Sequence, residues 1–245
     1  ANTKIGSLDP YLFLELNHVE KWAVDRLDLI KRMGYTEARG TKIEMYLKKR
    51  LQMDMNRFAW NQKAQKLLIF NLTSDGKKVL GFQIRNFVAK PKYLTFKLER
   101  IYNEIFEKET PEDETFEYAN SVSILFGIMN IDINKPITGF EGPLDAFLFN
   151  NSVAVCSAKN DWPFDIPIRW LYDYDSPGKT EALKRIKNNE SVFLWKKFIQ
   201  DSQCGINTTK KIDLTDIMVY SIRKKIMLPN FSEYFSKSKY DVYWI

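Results

Sequence analysis

Two short acidic runs carry the residues best suited to joint chemistry: Glu141-Gly142 and Asp173-Tyr174-Asp175. Each follows directly on a segment that reads as a β-strand, residues 136–140 and 168–172. In an open parallel sheet the ends of adjacent strands form the crevice where ligands bind, so carboxylates placed there converge. Alternate residues of an extended segment face the same way, so Asp173 and Asp175 are expected to point together. Three carboxylates at one point repel one another unless a cation sits between them, and Mg²⁺ prefers such hard oxygen ligands. The expected chemistry is that of one or two Mg²⁺ or Mn²⁺ ions held by Glu141, Asp173 and Asp175. Gly142 and Gly178 then fit as backbone that approaches a ligand or turns sharply.

Other catalytic chemistries have little to work with. The chain has one histidine, His18, and two distant cysteines, Cys156 and Cys204. These cannot supply the four ligands of a structural zinc site, and nothing around His18 resembles a nucleophile motif. The net charge of +6 over 245 residues tilts the chain toward anionic partners without specifying one. No apolar run approaches the ~20 residues that span a bilayer, and no signal peptide is visible, so a cytoplasmic protein without membrane contact is expected.

The elements that must position these residues fall into two patterns. Apolar spacing predicts a helix over residues 17–33 with Gly34 as its stop, and a second over 41–55 with a basic side of Lys42, Lys48, Lys49 and Arg50. Strands follow at 66–72, 79–87 and 93–96, the first two joined by a turn at Ser74-Asp75-Gly76. Residues 98–126 read as mainly helical, broken by the acidic 111–114. After Asn134, strands and helices alternate: strands at 136–140, 152–156, 168–172 and 191–195, with helices at 143–150, 177–188 and 214–225. Such alternation implies a parallel sheet with helices on its faces. The fold expected is α+β overall: a mixed portion with a small antiparallel sheet over 1–133, an α/β domain with a mainly parallel sheet over 134–226, and an aromatic, lysine-rich tail over 227–245 with no assigned role.

The run Phe140-Glu141-Gly142-Pro143-Leu144-Asp145-Ala146, then Asn151-Ser152-Val153-Ala154-Val155, then Tyr172-Asp173-Tyr174-Asp175-Ser176-Pro177-Gly178, resembles the Toprim domain shared by topoisomerases and bacterial-type primases. Lys211-Ile212-Asp213-Leu214-Thr215-Asp216-Ile217 resembles the Asp-rich element that often closes Toprim segments in phage primases. Upstream, Gly76 to Arg85 and then Pro91-Lys92-Tyr93-Leu94-Thr95 resemble the stretch preceding Toprim in primases. The resemblance covers roughly residues 66–217 and looks most like bacteriophage primases. It implies a primase catalytic core without the zinc-binding module, making RNA primers from ribonucleoside triphosphates on single-stranded DNA, with a replicative helicase as a further partner. It also implies that Arg85 and Lys92 contact nucleotide or template. Gln83-Ile84 stands where that family often has a glycine pair, so the loop before Arg85 is expected to differ in shape.

Plainer readings stand beside these. Glu141 suits a helix start, where acidic groups meet the helix dipole. Asp173 and Asp175 suit a turn with Ser176-Pro177-Gly178. Asp145, one helical turn past Glu141, either reaches the site or is solvated. Asp213 and Asp216 fit helix capping better than ligation. Lys159 either contacts a phosphate or is solvated, and Trp195 reads as core rather than as a base-stacking platform. Glu141 is also placed to act as a general base on a primer 3′-hydroxyl. A Toprim nuclease would use the same metal chemistry with water as nucleophile, and a non-catalytic DNA-binding module would keep the fold alone.

Overall fold

The computed structural model describes residues 16–157, 160–203, 205–206 and 211–245. The chain forms two compact units. The first takes residues up to Lys48, then Gln52–Asn130 and Pro163–Asp165; the second takes Lys49–Leu51, Ile131–Trp162 and Ile166–Ile245.

The first unit is built on an antiparallel sheet of six strands: β1 (Val24–Asp25), β2 (Thr36–Glu37), β3 (Phe58–Asn61), β4 (Lys66–Leu72), β5 (Lys78–Asn86) and β6 (Tyr93–Phe96). The order is β1-β5-β4-β3-β2, with β6 also on β5. The nine-residue β5 pairs with β1 at Val24↔Val79 and with β6 from Phe82↔Phe96 to Arg85↔Tyr93. Strand β4 is buried from Leu67 to Leu72, as a near-continuous apolar run should be when both faces are covered. On one face Leu68, Phe70, Phe82, Ile84 and Phe96 pack with Leu29, Ile30 and Ile101 from the helices Arg26–Arg32 and Leu98–Ile105. On the other, the buried Asn71 amide donates to the carbonyls of Ser123 and Leu125 (2.9 and 3.1 Å), pinning the segment that follows the helix Glu114–Val122.

Two expected helices of this half are cut short. The helix expected over 17–33 is interrupted: Asp25 takes extended backbone angles and caps a new helix, accepting from the Asp28 amide at 2.8 Å, while Val24 joins the sheet edge. Gly34, with φ of +69°, follows its end. The helix expected over 41–55 stops at Lys49, because Leu51 turns to a positive φ of 61°.

The second unit carries a five-stranded sheet, β7 (Ile137–Phe140), β8 (Ser152–Ala154), β9 (Ile168–Leu171), β10 (Ser191–Phe193) and β11 (Phe235–Ser236), in the order β11-β10-β9-β7-β8. The four strands β8, β7, β9 and β10 run parallel; β11 is antiparallel at the edge. The mixed α/β architecture, one antiparallel sheet and one mainly parallel, is the one expected.

Three details differ. The helix expected over 143–150 is one turn, Pro143–Ala146, continued by turns. Trp195, expected as the end of a strand, starts the unanticipated helix Trp195–Ser202, which buries Trp195, Phe198 and Ser202 at helical spacing. The tail supplies β11 and an aromatic cluster: the Phe231 ring stacks on Phe198 at 4.5 Å, and Phe235 meets Phe193 edge-on at 5.2 Å. Among the described residues no helix is long and apolar enough to cross a membrane.

Candidate metal centre

Glu141 leaves the end of β7 and Asp173 lies just past the end of β9. These strands are direct parallel neighbours, with Phe140 opposite Leu171. From β7 the chain goes to β8 on one side, then crosses to β9 on the other and continues outward to β10. The gap between β7 and β9 is therefore where the strand order reverses, the position at which open α/β sheets form a ligand crevice. Glu141 and Asp173 flank it.

The Asp173-Tyr174-Asp175 run is held from two sides. Tyr174 forms an antiparallel bridge with Ile212: its amide donates to the Ile212 carbonyl at 2.8 Å and its carbonyl accepts from the Ile212 amide at 3.4 Å. Both central side chains are buried, so alternation turns Asp173, Asp175, Lys211 and Asp213 to the opposite face. There the Lys211 ammonium binds Asp173 and lies 3.0 Å from Asp175 Oδ2. On the other side, Asp175 Oδ1 accepts from the Gly178 amide at 2.8 Å and caps the helix Ser176–Lys187. Gly178 sits so close that a Cβ there would fall 2.1 Å from the Asp173 carbonyl oxygen. Gly142 has open space around its Cβ position, so it makes no such approach within the chain.

Asp145 comes from the single turn after Glu141. Its Oδ1 accepts from both the amide and the hydroxyl of Thr215 (3.1 and 2.7 Å), at the start of the helix Leu214–Lys224. That start is a capping box: Asp213 accepts from the Asp216 amide at 2.8 Å, and Asp216 accepts from the Asp213 amide at 3.2 Å. Asp213 also pairs with Arg50 at 2.7 Å. The capping reading of Asp213 and Asp216 is the one their hydrogen bonds fit. Arg50, expected on the basic side of a helix, is instead a half-buried partner of Asp213, while Lys42, Lys48 and Lys49 are exposed.

The electrostatics follow from crowding. Burial raises the Glu141 carboxyl above its usual range; Asp173 and Asp175 add to the rise and Lys211 opposes it. Burial also raises Asp173, against the Lys211 hydrogen bond and charge. Asp145 is pushed up to about 7 by burial and by the charges of Asp213 and Asp173, with the Thr215 hydrogen bond and Arg50 pulling the other way. Burial works against the Lys211 charge, yet its contacts with Asp173 and Asp175 outweigh this and hold the ammonium above its usual range.

The donor set is oxygen-only, which suits Mg²⁺ or Mn²⁺ better than zinc or copper. Among the described residues no three His, Cys, Asp or Glu side chains are disposed to close on one ion as they stand. The cation between Asp173 and Asp175 is Lys211. It was not singled out as a site residue in the sequence, although its place two residues before Asp213 in an extended segment puts both on one face.

Of the other expected site residues, Lys159 falls outside the described residues. Arg85 and Lys92 belong to the first unit, on β5 and just before β6. The Arg85 guanidinium donates to the Tyr93 hydroxyl at 2.9 Å and lies 5.2–5.5 Å from the ring centres of Tyr46, Phe87 and Tyr93. Lys92 is exposed, with its ammonium 5.4 Å from the Tyr93 ring. Trp195 is core, its indole N–H donating to the Tyr172 carbonyl at 2.7 Å.

No family model matches this chain, and no curated protein does. Among solved structures it is similar to the zinc-binding and RNA polymerase domains of the Aquifex aeolicus primase, at 18% identity and a TM-score of 0.36, over 76% of this chain and 52% of that one. It is also similar to a DnaG primase catalytic domain bound to single-stranded DNA, at 14% identity and a TM-score of 0.34, over 76% of this chain and 64% of that one. This chain thus spans about half of the first and under two thirds of the second.

Proposed function

We propose that the chain is the catalytic core of a primase-type nucleotidyltransferase, which joins ribonucleotides on a single-stranded DNA template. The observation that supports the reading is the parallel register of β7 and β9, which brings the strand ends that lead into Glu141 and Asp173 to the sheet's switch point. Crowded carboxylates with raised proton affinity, already drawing in a lysine ammonium, are the kind of group that a divalent ion stabilises.

On this reading Glu141, Asp173 and Asp175 hold one or two Mg²⁺ or Mn²⁺ ions. Such ions stabilise the attacking and leaving oxygens of an in-line displacement. The chain's own part is positioning. The Tyr174–Ile212 bridge and the Asp175 cap fix the Asp pair, and Asp145 ties the turn after Glu141 to the helix Leu214–Lys224. In the first unit, Arg85 and Lys92 bind nucleotide phosphate or template. The primase reading over the nuclease reading draws on the resemblance around Arg85 and Lys92. A replicative helicase is the further partner proposed.

The test is an extension assay with ribonucleoside triphosphates, Mn²⁺ and single-stranded template. Primer synthesis that disappears in Asp173→Asn is the expected result. Strand cleavage without synthesis would replace this reading with the nuclease, and activity unchanged in Asp173→Asn would remove the metal role.

A further inference from the structure

Lys211 has no assigned part in the proposed reaction, yet it occupies the centre of the site. Its backbone is fixed by the neighbouring Tyr174–Ile212 bridge, so the ammonium is delivered to the Asp pair by the fold. It spans both carboxylates, contacting Asp173 and lying 3.0 Å from Asp175. The second cation of the cluster, Arg50, is engaged by Asp213. The exposures are unequal: the Asp173 and Asp175 side chains are 17% and 20% exposed, that of Lys211 53%. The carboxylates are set in the fold, whereas the lysine is half-exposed on a long, flexible stem. A lysine suits this better than an arginine, whose rigid fork would lock both carboxylates in a bidentate pair.

We infer that Lys211 is the resident counter-ion of the site, holding Asp173 and Asp175 together in the metal-free protein and giving up that place when a divalent cation binds. The inference rests on the metal reading of Glu141, Asp173 and Asp175. Its consequence is a linkage with two opposite signs. Lys211 stabilises the metal-free chain by relieving repulsion between the aspartates, and it weakens apparent metal affinity because its contacts must be broken first. A lysine with only a structural role would show the first effect without the second.

The test titrates Mn²⁺ alone into the full chain, following free Mn²⁺ by electron paramagnetic resonance and stability by thermal melting. In Lys211→Met the metal-free protein should melt lower. Its Mn²⁺ affinity should rise on the order of tenfold, the equivalent of one charge-assisted contact no longer displaced. Lys211→Arg, which keeps the charge, should bind Mn²⁺ no tighter than the parent chain. Should Lys211→Met not fold, Lys211→Gln is read in the same way. Glu141→Gln is the separate arm for the metal reading and should lose binding. If the parent chain binds Mn²⁺ in a Glu141-dependent way and the Lys211→Met or Lys211→Gln protein binds it equally or more weakly, the counter-ion role is wrong while the metal reading stands. If the parent does not bind Mn²⁺, or binds it independently of Glu141, the metal reading fails and the inference fails with it.

Discussion

Gly178 lies against the backbone of Asp173 so closely that a methyl group on it would fall 2.1 Å from the Asp173 carbonyl oxygen. The glycine is what lets the first turn of the helix Ser176–Lys187 tuck under the acidic run, with the Asp175 cap closing the turn. Gly178→Ala must therefore push Asp173 away or unwind the helix start. A loss of about 1–3 kcal/mol in denaturant unfolding is expected, together with weakened Mn²⁺ binding. Gly142→Ala is the control. Its Cβ meets nothing within 4 Å and its φ of −126° suits any residue, so its stability should stay within about 0.5 kcal/mol of the parent.

Asp145 gives a pH signature. Its carboxyl titrates near 7 in the folded chain against 3.8 ordinarily, so the folded state holds the proton more tightly than the unfolded one. The sign follows: the group has no effect on stability below about pH 4, lowers stability progressively as pH rises toward 7, and lowers it by a constant amount above that. Asp145→Asn keeps an oxygen for Thr215 and removes the titration. Its melting temperature should exceed the parent's at pH 8 by several degrees, and the difference should shrink at pH 5. A difference independent of pH would show that Asp145 does not hold its proton more tightly in the folded chain.

Protonation of the neighbouring carboxyls governs metal affinity. Glu141 and Asp173 both hold protons more tightly than ordinary carboxyls, and a proton on either competes with an ion. Mn²⁺ affinity should climb as pH is raised through the range in which these carboxyls lose their protons, and calorimetry should record proton release on binding that diminishes at higher pH.

Asp213 is expected to act through the helix it caps. Asp213→Ala removes the capping box of Leu214–Lys224 and leaves Arg50 without its carboxylate, which should lower stability by about 1–2 kcal/mol. Asp213→Ser restores the cap alone, so it should recover part of the loss in equilibrium unfolding.

Arg85 is expected to contact a phosphate while remaining peripheral to stability, since it is half-buried among Tyr46, Phe87 and Tyr93 with no acidic partner among the described residues. Arg85→Ala should leave the fold intact and weaken single-stranded DNA binding. The slope of log affinity against log salt should become shallower by about one. An unchanged slope would remove Arg85 from the template contacts.

The strand ends that carry Glu141 and Asp173 were legible because short apolar runs stop abruptly at acidic residues, and the alternation with helices implied parallel neighbours. Lys211 was not legible as a site residue. It meets Asp173 across 38 residues of chain, and the Tyr174–Ile212 bridge brings the two together. The interruption at Asp25 was hidden for another reason: an aspartate capping a helix and one on a helix surface look alike until the backbone is seen. Trp195, Phe198 and Ser202 did carry a helical spacing, but the apolar run ahead of them extends the strand reading through Trp195. The tail's aromatics, Phe231 and Phe235, find their partners Phe198 and Phe193 only through tertiary packing.

The most direct test of the metal centre is anomalous diffraction from crystals of the chain soaked in Mn²⁺. The expected map has an anomalous peak at the gap between β7 and β9, ligated by Glu141, Asp173 and Asp175, with the Lys211 side chain turned away from the aspartates. Lys211 still seated between Asp173 and Asp175 at saturating Mn²⁺, with no peak at that gap, would contradict it.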